Sequence, residues 1–573
     1  MTKKLLFIGA LSVTIAAQVN AQNTYLQLGE DEYHLLDRLE TKSGKLSDKL
    51  FLSGSPVSRK DAVSFLSYKK EAESDKVVIS HIGGTMVDSY NIQHAVAISS
   101  EWTNDRQGEI PTKRPWFNTF YKTQANFYEV NTKDFFLAVN PVISAQVIRE
   151  QYSIGGTSTS QNLFASSRGA EVRGRIANKI GFYTYLTDNQ EQPNSYVASW
   201  IVKNQAVPGA DYFQNTPGSK TYDYIQARGY IDFAVVKNYV NLTAGYDKNF
   251  IGDGVRSLFL SDFAANSTFV KLNTKIWKLN YQNIYSEIIP PYNRGADRQL
   301  PVKYSTTHYL TINATKWLNV GFFENVIFQR GDHYSFGYLN PIIFFRAIER
   351  GYGSPDNVNL GFSAKAIVTK GVQLYGQLFL DEFRSKELFG SNKWWGNKYG
   401  VQLGAKYFDA FTIKNLDLQG ELNMVRPYAY SHSDSVTNYT HYNQPLAHPL
   451  GSGFVEMIGI ANYRPIKKLL LMGKLMYYKR GVDTGGLNYG NNIFRSYNTV
   501  ANQYGVKMIN GLGSNCMLMS LNGSYKIAER LFFDLGFIYR NYKYDNNYLP
   551  EQKSLSIYSG LRLNIARRAY DFM

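Results

Sequence analysis

From about residue 90 onward the chain repeats one unit, a stretch of roughly ten residues in which apolar and polar side chains alternate, followed by a turn. In one such stretch Glu171 and Arg173 fall on one face, and Val172 and Gly174 fall on the other. Side chains of a β-strand point to opposite faces in turn, so this pattern predicts strands with one charged and one apolar face. Such strands hide the apolar face inside a soluble sandwich or present it to lipid in an outer-membrane barrel.

Residues 1–21 have the features of a secretory signal peptide. Lys3 and Lys4 precede an apolar run, and the small residues of Val19-Asn20-Ala21 predict cleavage after residue 21. The rest of the sequence has no apolar run of about 18 residues, the length that a membrane-spanning helix needs. We therefore expect an exported protein that is periplasmic, secreted or an outer-membrane barrel.

Short turns separate the alternating stretches and allow the strands to be counted. Two strands for each of nine turns give 18, and strands near Ile92–Trp102 and Leu555–Ile565 would raise the number to 20. The predicted turns lie at Asn131-Thr132-Lys133, Asn178-Lys179, Lys237-Asn238, Trp277-Lys278, Thr315-Lys316, Lys370-Gly371, Lys414-Asn415, Pro465-Ile466 and Ala528-Glu529. The connections at the opposite end are longer, as in 331–360 and 429–455.

This sorting of short turns and long loops is typical of bacterial outer-membrane barrels, and a soluble sandwich gives no reason for it. We therefore predict an all-β transmembrane outer-membrane β-barrel in residues 89–573, with about 18 strands in a range of 16–20. The chain ends in Tyr570-Asp571-Phe572-Met573, and a terminal aromatic residue suits recognition by the barrel-insertion machinery, although the last residue is not Phe.

The composition agrees with a barrel. The chain has 44 Tyr and 34 Phe, which aromatic girdles and cross-strand pairs would use. The formal net charge of +16 is spread along strands and turns, and no nucleic-acid motif is present, so nucleic-acid binding is not expected. A cationic lumen or loop surface that faces anionic glycans is the better interpretation, the alternative being turn residues that pair with lumen carboxylates.

Residues 22–88 lack the alternating pattern and predict a small periplasmic helical unit. Tyr33, Leu36 and Leu39 lie at helical spacing after three acidic residues, which complement the dipole of a helix N-terminus. A second helix is predicted to begin at Ser58, with an acidic residue three positions later. The alternative interpretation of this region is a flexible leader.

Residues 329–361 interrupt the alternation in the middle of the barrel. Ile342–Arg350 has helical spacing, and we expect an inserted loop that folds into the lumen or over its mouth. Its basic and aromatic side chains would grip acidic sugars, whereas the alternative is a structural plug held by lumen charges. The candidate glycan contacts in this segment are Asp332, His333, Tyr338, Arg346 and Arg350, with Tyr334 and Tyr352 as further stacking partners.

A second concentration of aromatic and basic residues lies in residues 421–453. Three of the eight histidines fall here, but the spacing of His432, His441 and His448 matches no standard ligand pattern, so no metal site is predicted. Contacts to a saccharide and plain packing of the loop are the two remaining interpretations. The candidate contacts in this segment are Arg426, Tyr428, His432 and His448.

Catalysis finds little support in the sequence. It has no GxSxG, no HExxH and no glycine-rich phosphate loop. Asp381 and Glu382 are adjacent, so as strand residues they point to opposite faces and cannot act together on one substrate. We expect neither enzyme activity nor a cofactor.

The segments RSLFLSDFAANS (256–267), YLNPIIFFRAIE (338–349) and ELNMVRPYAYSH to LAHPLGSGF (421–454) resemble the Wzi-type capsule-assembly family. YHLLDRLE (33–40) and PVSRKDAV (56–63) resemble proteins of the RemB-type gliding-motility group. The resemblance implies an outer-membrane barrel of about 18 strands, with a periplasmic helical bundle, that helps to hold capsular polysaccharide at the cell surface. The residues that match the family pattern are Arg256, Asn340, Pro341, Arg426, Tyr428, His448, Pro449 and Gly451.

Three functions are therefore considered. The first is assembly or retention of capsule or exopolysaccharide, with outer-membrane lipid and an anionic surface polysaccharide as partners. The second is a gliding-motility or surface-adhesion component that works with other envelope proteins. The third is a general porin, although the insertion at 329–361 and the helical unit argue against an open lumen.

Overall fold

The computed structural model describes residues 23–68, 84–103, 108–113, 115–177, 179–215, 218–295, 299–331, 333–342, 344–382, 387, 392–568 and 570–572. The predicted signal peptide, Asn178 of one turn, Asp332 and Met573 lie outside these residues. The α-helices of the described chain are α1 (Asp31–Ser43), α2 (Arg59–Tyr68), α3 (Met86–Ile98), α4 (Ser195–Asn204) and α5 (Phe345–Gly351).

Antiparallel strands account for most of the rest of the fold. In chain order they are β1 (Gly54–Ser55), β2 (Tyr128–Asn131), β3 (Phe135–Ile154), β4 (Thr157–Ile176), β5 (Ile180–Glu191), β6 (Tyr222–Val236), β7 (Val240–Asp247), β8 (Phe250–Ile251), β9 (Ser267–Ile276), β10 (Leu279–Ile288), β11 (Lys303–Asn313), β12 (Leu318–Phe328), β13 (Asn357–Thr369), β14 (Val372–Leu380), β15 (Tyr399–Tyr407), β16 (Leu416–Val425), β17 (Thr440–His441), β18 (Gln444–Pro445), β19 (Phe454–Ile466), β20 (Leu469–Val482), β21 (Leu512–Ala528), β22 (Leu531–Tyr544) and β23 (Gln552–Leu563).

Eighteen of these strands form a closed ring, which confirms the predicted barrel and its strand number. The ring takes every strand except β1, β2, β8, β17 and β18, and each ring strand pairs with the next one along the chain. It closes where β23 pairs with β3, from Gln552 opposite Ile154 to Leu563 opposite Ile143. A closed ring leaves no strand edge with unpaired main-chain groups, and a barrel wall in lipid requires this closure.

The predicted short turns are confirmed, with the turn expected at Pro465-Ile466 displaced to residues 467–468. The set of strands that gives this number nevertheless differs from the predicted set. The first predicted turn joins the short β2 to β3, and the last ring strand is β23, which the turn count left out.

The strand predicted near Ile92–Trp102 is wrong, because these residues form the end of α3 and a 3-10 turn at Ser100–Trp102. The side chains of Thr85 and Asp88 form a capping box that starts α3. The helical unit therefore continues past residue 88, where the predicted boundary lay.

Side-chain alternation follows the two sides of the wall, as predicted. Ser556 and Tyr558 are buried on the inner side of β23, whereas Leu555, Ile557 and Leu561 are exposed on its outer side. An apolar exterior around a polar interior is the arrangement that lipid on one side and a lumen on the other demand.

Aromatic side chains mark the short-turn end of the exterior. Trp277, Trp317 and Phe411 are exposed there, in turns between ring strands. Amphipathic rings at this level form the girdle that meets lipid headgroups. Of the described helices, none combines the length and apolar character needed to cross a bilayer.

Helices α1–α3 lie inside the ring at the short-turn end, where one arginine joins them to the wall. The Arg38 guanidinium donates to Asp88 at 2.8 Å, to Asp409 at 2.7 Å and also to Asp417. Asp88 belongs to α3, Asp409 lies in the turn before β16, and Asp417 lies in β16. Lys42 bridges Asp88 and Asp409 at 3.3 and 2.5 Å, so each of the three carboxylates contacts a cation of α1.

Similar buried pairs hold the unit from other directions. Lys365 of β13 contacts Glu40 of α1 at 3.1 Å, and Arg173 of β4 contacts Glu101 at 3.2 Å. Each pair joins a lumen-facing side chain of the wall to the helical unit, so the charged face of the strands is neutralised from inside.

Two long loops, 248–266 and 426–453, fold back into the ring from the opposite end. Tyr430 and Tyr439 of the second loop donate hydrogen bonds to main-chain carbonyl groups of the first, at 2.9 and 2.7 Å. Phe259 and many other apolar side chains of these loops are buried in one core with the inner wall. The loops therefore fill the upper lumen as a packed plug.

The chain also turns inward after β23. Asn564 has a positive φ of 54°, a conformation that Asn adopts more readily than most residues, and residues 564–568 and 570–572 then follow the lumen as a tail. Arg568 of the tail contacts Glu191 of β5 at 3.0 Å, and Phe572 packs 5.5 Å from Trp200 of α4. Phe572, the terminal aromatic noted in the sequence, is thus buried inside the ring and is not part of the last strand.

In the inserted segment 329–361, residues 336–342 and 344–351 lie on the outside of the wall, and not in the lumen or over its mouth as predicted. The Phe345 amide donates to Glu324 at 2.7 Å, and the Phe345 ring lies 4.1 Å from His308. Glu324 follows Phe323, which is buried in the lumen core, so Glu324 points outward. A carboxylate and an imidazole facing lipid are costly, and the segment covers them.

We expect Arg38→Ala to lower the free energy of unfolding by about 3 kcal/mol or more, because it leaves buried carboxylates without their main partner. Arg38 and Lys42 hold the pKa of Asp88 at about 2 although burial alone would raise it, so this carboxylate stays charged near neutral pH. Thermal unfolding in detergent measures the loss. Lys45→Ala, on an exposed side chain of the same unit, is the control, and an equal effect of both would contradict the assignment.

We also expect the purified protein to give little conductance in planar bilayers, because helices, loops and tail fill the described lumen. A large and steady open channel from the unmodified protein would contradict this closed interior. The same recording tests the porin interpretation of the sequence.

Candidate functional site

A cavity of about 920 Å³ opens at the long-loop end of the barrel. Its wall is formed by α4, by residues 289–295 and 299–302, by the loops 426–453 and 483–511, and by the upper ends of β20 and β22. Pockets of this size take ligands of several rings. We refer to it as the mouth cavity.

Aromatic rings make up much of the wall. Tyr196 and Trp200 come from α4, Tyr478 comes from β20, and Tyr542 and Tyr544 come from β22. Alternation in β20 and β22 places these tyrosines on the inner side of the strand ends. Such rings offer flat apolar faces together with polar groups, the combination that binds a sugar ring.

Positive charge exceeds negative charge in this wall. Lys203, Arg480, Arg495 and Arg540 line the cavity, whereas Asp483 is the acidic residue among its described lining. Several asparagine and glutamine side chains add neutral donors and acceptors. This mixture favours a ligand that carries both hydroxyl and carboxylate groups.

Two of these cations stand close together. Burial and the charge of Arg480 lower the pKa of Lys203, at the end of α4. Nε of Arg480 is buried and has no hydrogen-bond partner among the described residues. A buried guanidinium nitrogen without an acceptor leaves a position that an anionic group can fill.

Arg540 differs from these two because aromatic rings enclose it. Its guanidinium carbon lies 5.0 Å from the centres of both the Tyr196 and the Tyr542 rings. Stacking of this kind orients a guanidinium and holds the rings in place.

A wall carboxylate sets the position of α4. Glu150 of β3 accepts hydrogen bonds from the Ser195 amide at 3.0 Å and from the Ser195 hydroxyl at 2.9 Å. A carboxylate at a helix N-terminus satisfies free amide groups and complements the helix dipole. The helix that carries Tyr196 and Lys203 is thereby fixed to the barrel.

Asp483 organises the loop 483–511. Its carboxylate accepts hydrogen bonds from the main-chain amides of Tyr489 and Asn491 at 3.2 and 3.3 Å and thereby stabilises the loop. Gly490 has a φ of 84°, and a Cβ there would lie 2.6 Å from the Tyr428 ring. Only glycine fits both requirements, and the loop can rest on Tyr428.

The glycan contacts predicted in 421–453, Arg426, Tyr428, His432 and His448, are not among the residues that line the mouth cavity. Arg426 donates to the main-chain carbonyl of Asn397 at 2.8 Å, and Tyr428 donates to that of Asn488 at 2.6 Å. Nδ1 of His432 lies 2.8 Å from the Thr437 hydroxyl. These buried side chains bond to loops, including the loop that forms the cavity wall.

His448 and Arg256 belong to an internal network. Nε2 of His448 lies 2.7 Å from Glu456 of β19, and Arg256 lies 3.6 Å from the same carboxylate. Arg256 also contacts Asp571 of the tail at 3.3 Å. Pro449 and Gly451, which follow His448, do line the mouth cavity.

The described residues among those predicted in 329–361 are on the outer wall, and Asp332 lies outside the described part of the chain. Tyr338 is buried and donates to Asp356 at 2.6 Å, whereas His333, Arg346 and Arg350 are exposed. Arg346 contacts Glu349 at 2.9 Å. The fold therefore separates these residues from those of the inner plug, and the two predicted clusters do not form one site.

Sequence reasoning missed α4, β20 and β22 as sources of the cavity wall. The pattern that points to them is an arginine and tyrosines at alternate positions of a strand end, as in Tyr478 and Arg480 or Arg540 and Tyr542, next to a long loop. Among the described residues, no three His, Cys, Asp or Glu side chains come together in a way that could hold a metal ion.

No protein-family model matches this sequence, and no curated protein is similar enough to match it. The fold resembles Wzi, an outer-membrane protein involved in group 1 capsule assembly in Escherichia coli and described as a carbohydrate-binding β-barrel. The likeness covers 96% of this chain and 100% of that chain, with a TM-score of 0.52 and 13% sequence identity.

OprD and OpdL of Pseudomonas aeruginosa are also similar, each over 74% of this chain. Their TM-scores are 0.39 and 0.38, their identities 10% and 8%, and the matches cover 95% and 98% of their own chains. The closed 18-stranded ring and its likeness to Wzi identify this chain as an outer-membrane β-barrel.

We expect acidification to loosen the inner plug. Burial chiefly lowers the pKa of His432 and of His441 to about 4. In an unfolded chain the histidine pKa is about 6.5. Between pH 6.5 and pH 4, about where the folded histidines titrate, the unfolded chain therefore binds protons that the folded chain does not bind. The free energy of unfolding consequently falls as the pH falls through this range. The unfolding temperature should therefore decrease from about pH 7 to about pH 4.5.

The double variant His432→Gln, His441→Gln should show less of this pH dependence in circular-dichroism melts, because it removes both imidazoles. His333→Gln removes an exposed imidazole and serves as the control. An unchanged pH dependence in the double variant would show that other groups govern the acid response.

Proposed function

We propose that this protein is a non-enzymatic outer-membrane barrel that binds an acidic surface polysaccharide in its mouth cavity and takes part in assembling or retaining that polymer at the cell surface. The observation that carries the proposal is the mouth cavity itself, with aromatic rings and four cations against one carboxylate in its described lining.

The position of the cavity supports this proposal. It lies at the long-loop end, which in bacterial outer-membrane barrels faces the cell exterior. The lumen below it is occupied by packed loops, so a polymer that enters the cavity is held at the mouth in this conformation. Retention of a chain needs an open groove and repeated weak contacts, and does not need a reacting group.

The chemistry of the wall supports an acidic saccharide over a neutral one. Lys203 and Arg480 provide positive charge, and the buried Nε of Arg480 has no hydrogen-bond partner among the described residues. The rings of Tyr196 and Tyr542 provide stacking faces. Wzi, whose fold this barrel shares, is described as a carbohydrate-binding protein of capsule assembly, which agrees with the proposal.

The test compares binding of oligogalacturonate, an acidic probe, and dextran, a neutral one, by calorimetry with detergent-purified protein. We expect Lys203→Gln with Arg480→Gln to weaken oligogalacturonate binding roughly tenfold, because charge-assisted hydrogen bonds are lost. Lys479→Gln changes an exposed cation on the neighbouring, outward position of the same strand and should leave binding unchanged.

Arg346→Gln belongs in the same series, since Arg346 is an exposed cation that the sequence predicted as a glycan contact. A loss with Arg346→Gln alone would move the binding site to the outer wall. Equal binding of oligogalacturonate and dextran by the unmodified protein would refute the acidic specificity.

A further inference from the structure

We propose that the barrel contains a latent passage for anionic chains, which runs from the mouth cavity to the short-turn end and is closed by its own tail, of which residues 564–568 and 570–572 are described. The passage would admit small anions and a single acidic oligosaccharide chain when the tail is displaced. This proposal does not depend on polysaccharide binding at the mouth, because it concerns the lumen.

Three cavities follow one another along the inner wall of β20–β23. Below the mouth cavity lies a middle cavity of about 70 Å³, and below that a lower cavity of about 390 Å³ beside the helical unit. Tyr196 lines both the mouth and the middle cavity, and Met472 and Arg567 line both the middle and the lower one. Neighbouring cavities are therefore separated by single layers of side chains.

The tail holds both of these partitions in place. Tyr196 donates a hydrogen bond to the Tyr570 carbonyl at 2.6 Å, which fixes its ring between the mouth and the middle cavity. Phe572 packs against Trp200 beside it. At the lower partition, Arg567 of the tail donates to the sulfur of Met472 at 3.3 Å. Without the tail, the described wall offers neither contact.

The wall around the end of the tail is cationic. Lys474 of β20 and Arg256 of the inner loop both contact the Asp571 carboxylate, whereas Glu191, which pairs with Arg568, is the acidic wall residue among the described lining of the middle cavity. Asp571 is thus an intramolecular anion, seated where an anionic ligand would sit. In the lower cavity Arg464, Lys526 and Arg562 pair with Asp31, Glu529 and Asp534, so their charges are balanced. The surplus charge of Lys474 and Arg256 therefore sets the preference of the passage for anions.

The geometry also explains why the tail can close the passage without being part of the wall. The described residues of the tail, 564–568 and 570–572, belong to no strand, and the tail leaves β23 at Asn564. Their hold on the wall is a set of ion pairs and one aromatic cluster, including Arg568 with Glu191 and Asp571 with Lys474. The ring keeps its full ladder whether or not the tail is seated.

The experiment records conductance and reversal potential in planar bilayers under a potassium chloride gradient. Asp571→Arg places a third cation beside Lys474 and Arg256 and should expel the tail, raising conductance roughly tenfold over the closed protein with a shift towards chloride selectivity. Asp571→Asn removes the ion pairs with little change of shape and should give a smaller rise in the same direction. Asp545→Arg changes an exposed acidic residue of a loop and should stay closed.

Heat-modifiable migration in gels shows which variants retain the barrel fold. The proposal is overturned if folded Asp571→Arg and Asp571→Asn proteins both conduct no more than the unmodified protein. A rise that favours potassium also overturns it, because the passage would then not be anionic in its selectivity. Chloride and potassium are the only probes, so failure of polysaccharide binding leaves this result unaffected.

Discussion

A closed ring of alternating strands encloses its own charges, and this constraint governs the rest of the molecule. The inner faces of the strands carry carboxylates and cations that would be costly in a dry interior without partners. Arg38 shows how the requirement is met, since one side chain of α1 binds carboxylates of α3, a turn and the wall. Charged side chains of the helical unit, the inner loops and the tail pair with the charged side chains of the wall.

Charge is balanced throughout most of the lumen, and this makes the mouth cavity distinctive. In the interior, pairs such as Lys365 with Glu40 are closed within the chain. At the mouth, the positive charges of Lys203 and Arg480 lie close together, and the carboxylate of the nearby Asp483 accepts hydrogen bonds from main-chain amides. The surplus of positive charge lies at the outer end of the barrel, where an external anion can reach it. This position is consistent with the proposed function.

The sequence predicted the ring well because a period of two and a short turn are local properties, read from neighbouring residues. It failed where tertiary contacts decide. Residues 92–102 alternate loosely but follow a capping box at Thr85, and residues 336–351 are drawn outward by Glu324 and His308. Arg426, Tyr428, His432 and His448 of 421–453 were predicted as ligand contacts and are buried in this structure, a position that composition alone does not predict.

The seam between β23 and β3 has a consequence for how the molecule is made. The helical unit precedes the ring in sequence and the tail follows it, and yet both end up enclosed by it. A wall that is complete offers no side entrance for three helices. The three helices must therefore enter either before the last ladder of hydrogen bonds forms or through the short-turn end of the finished ring.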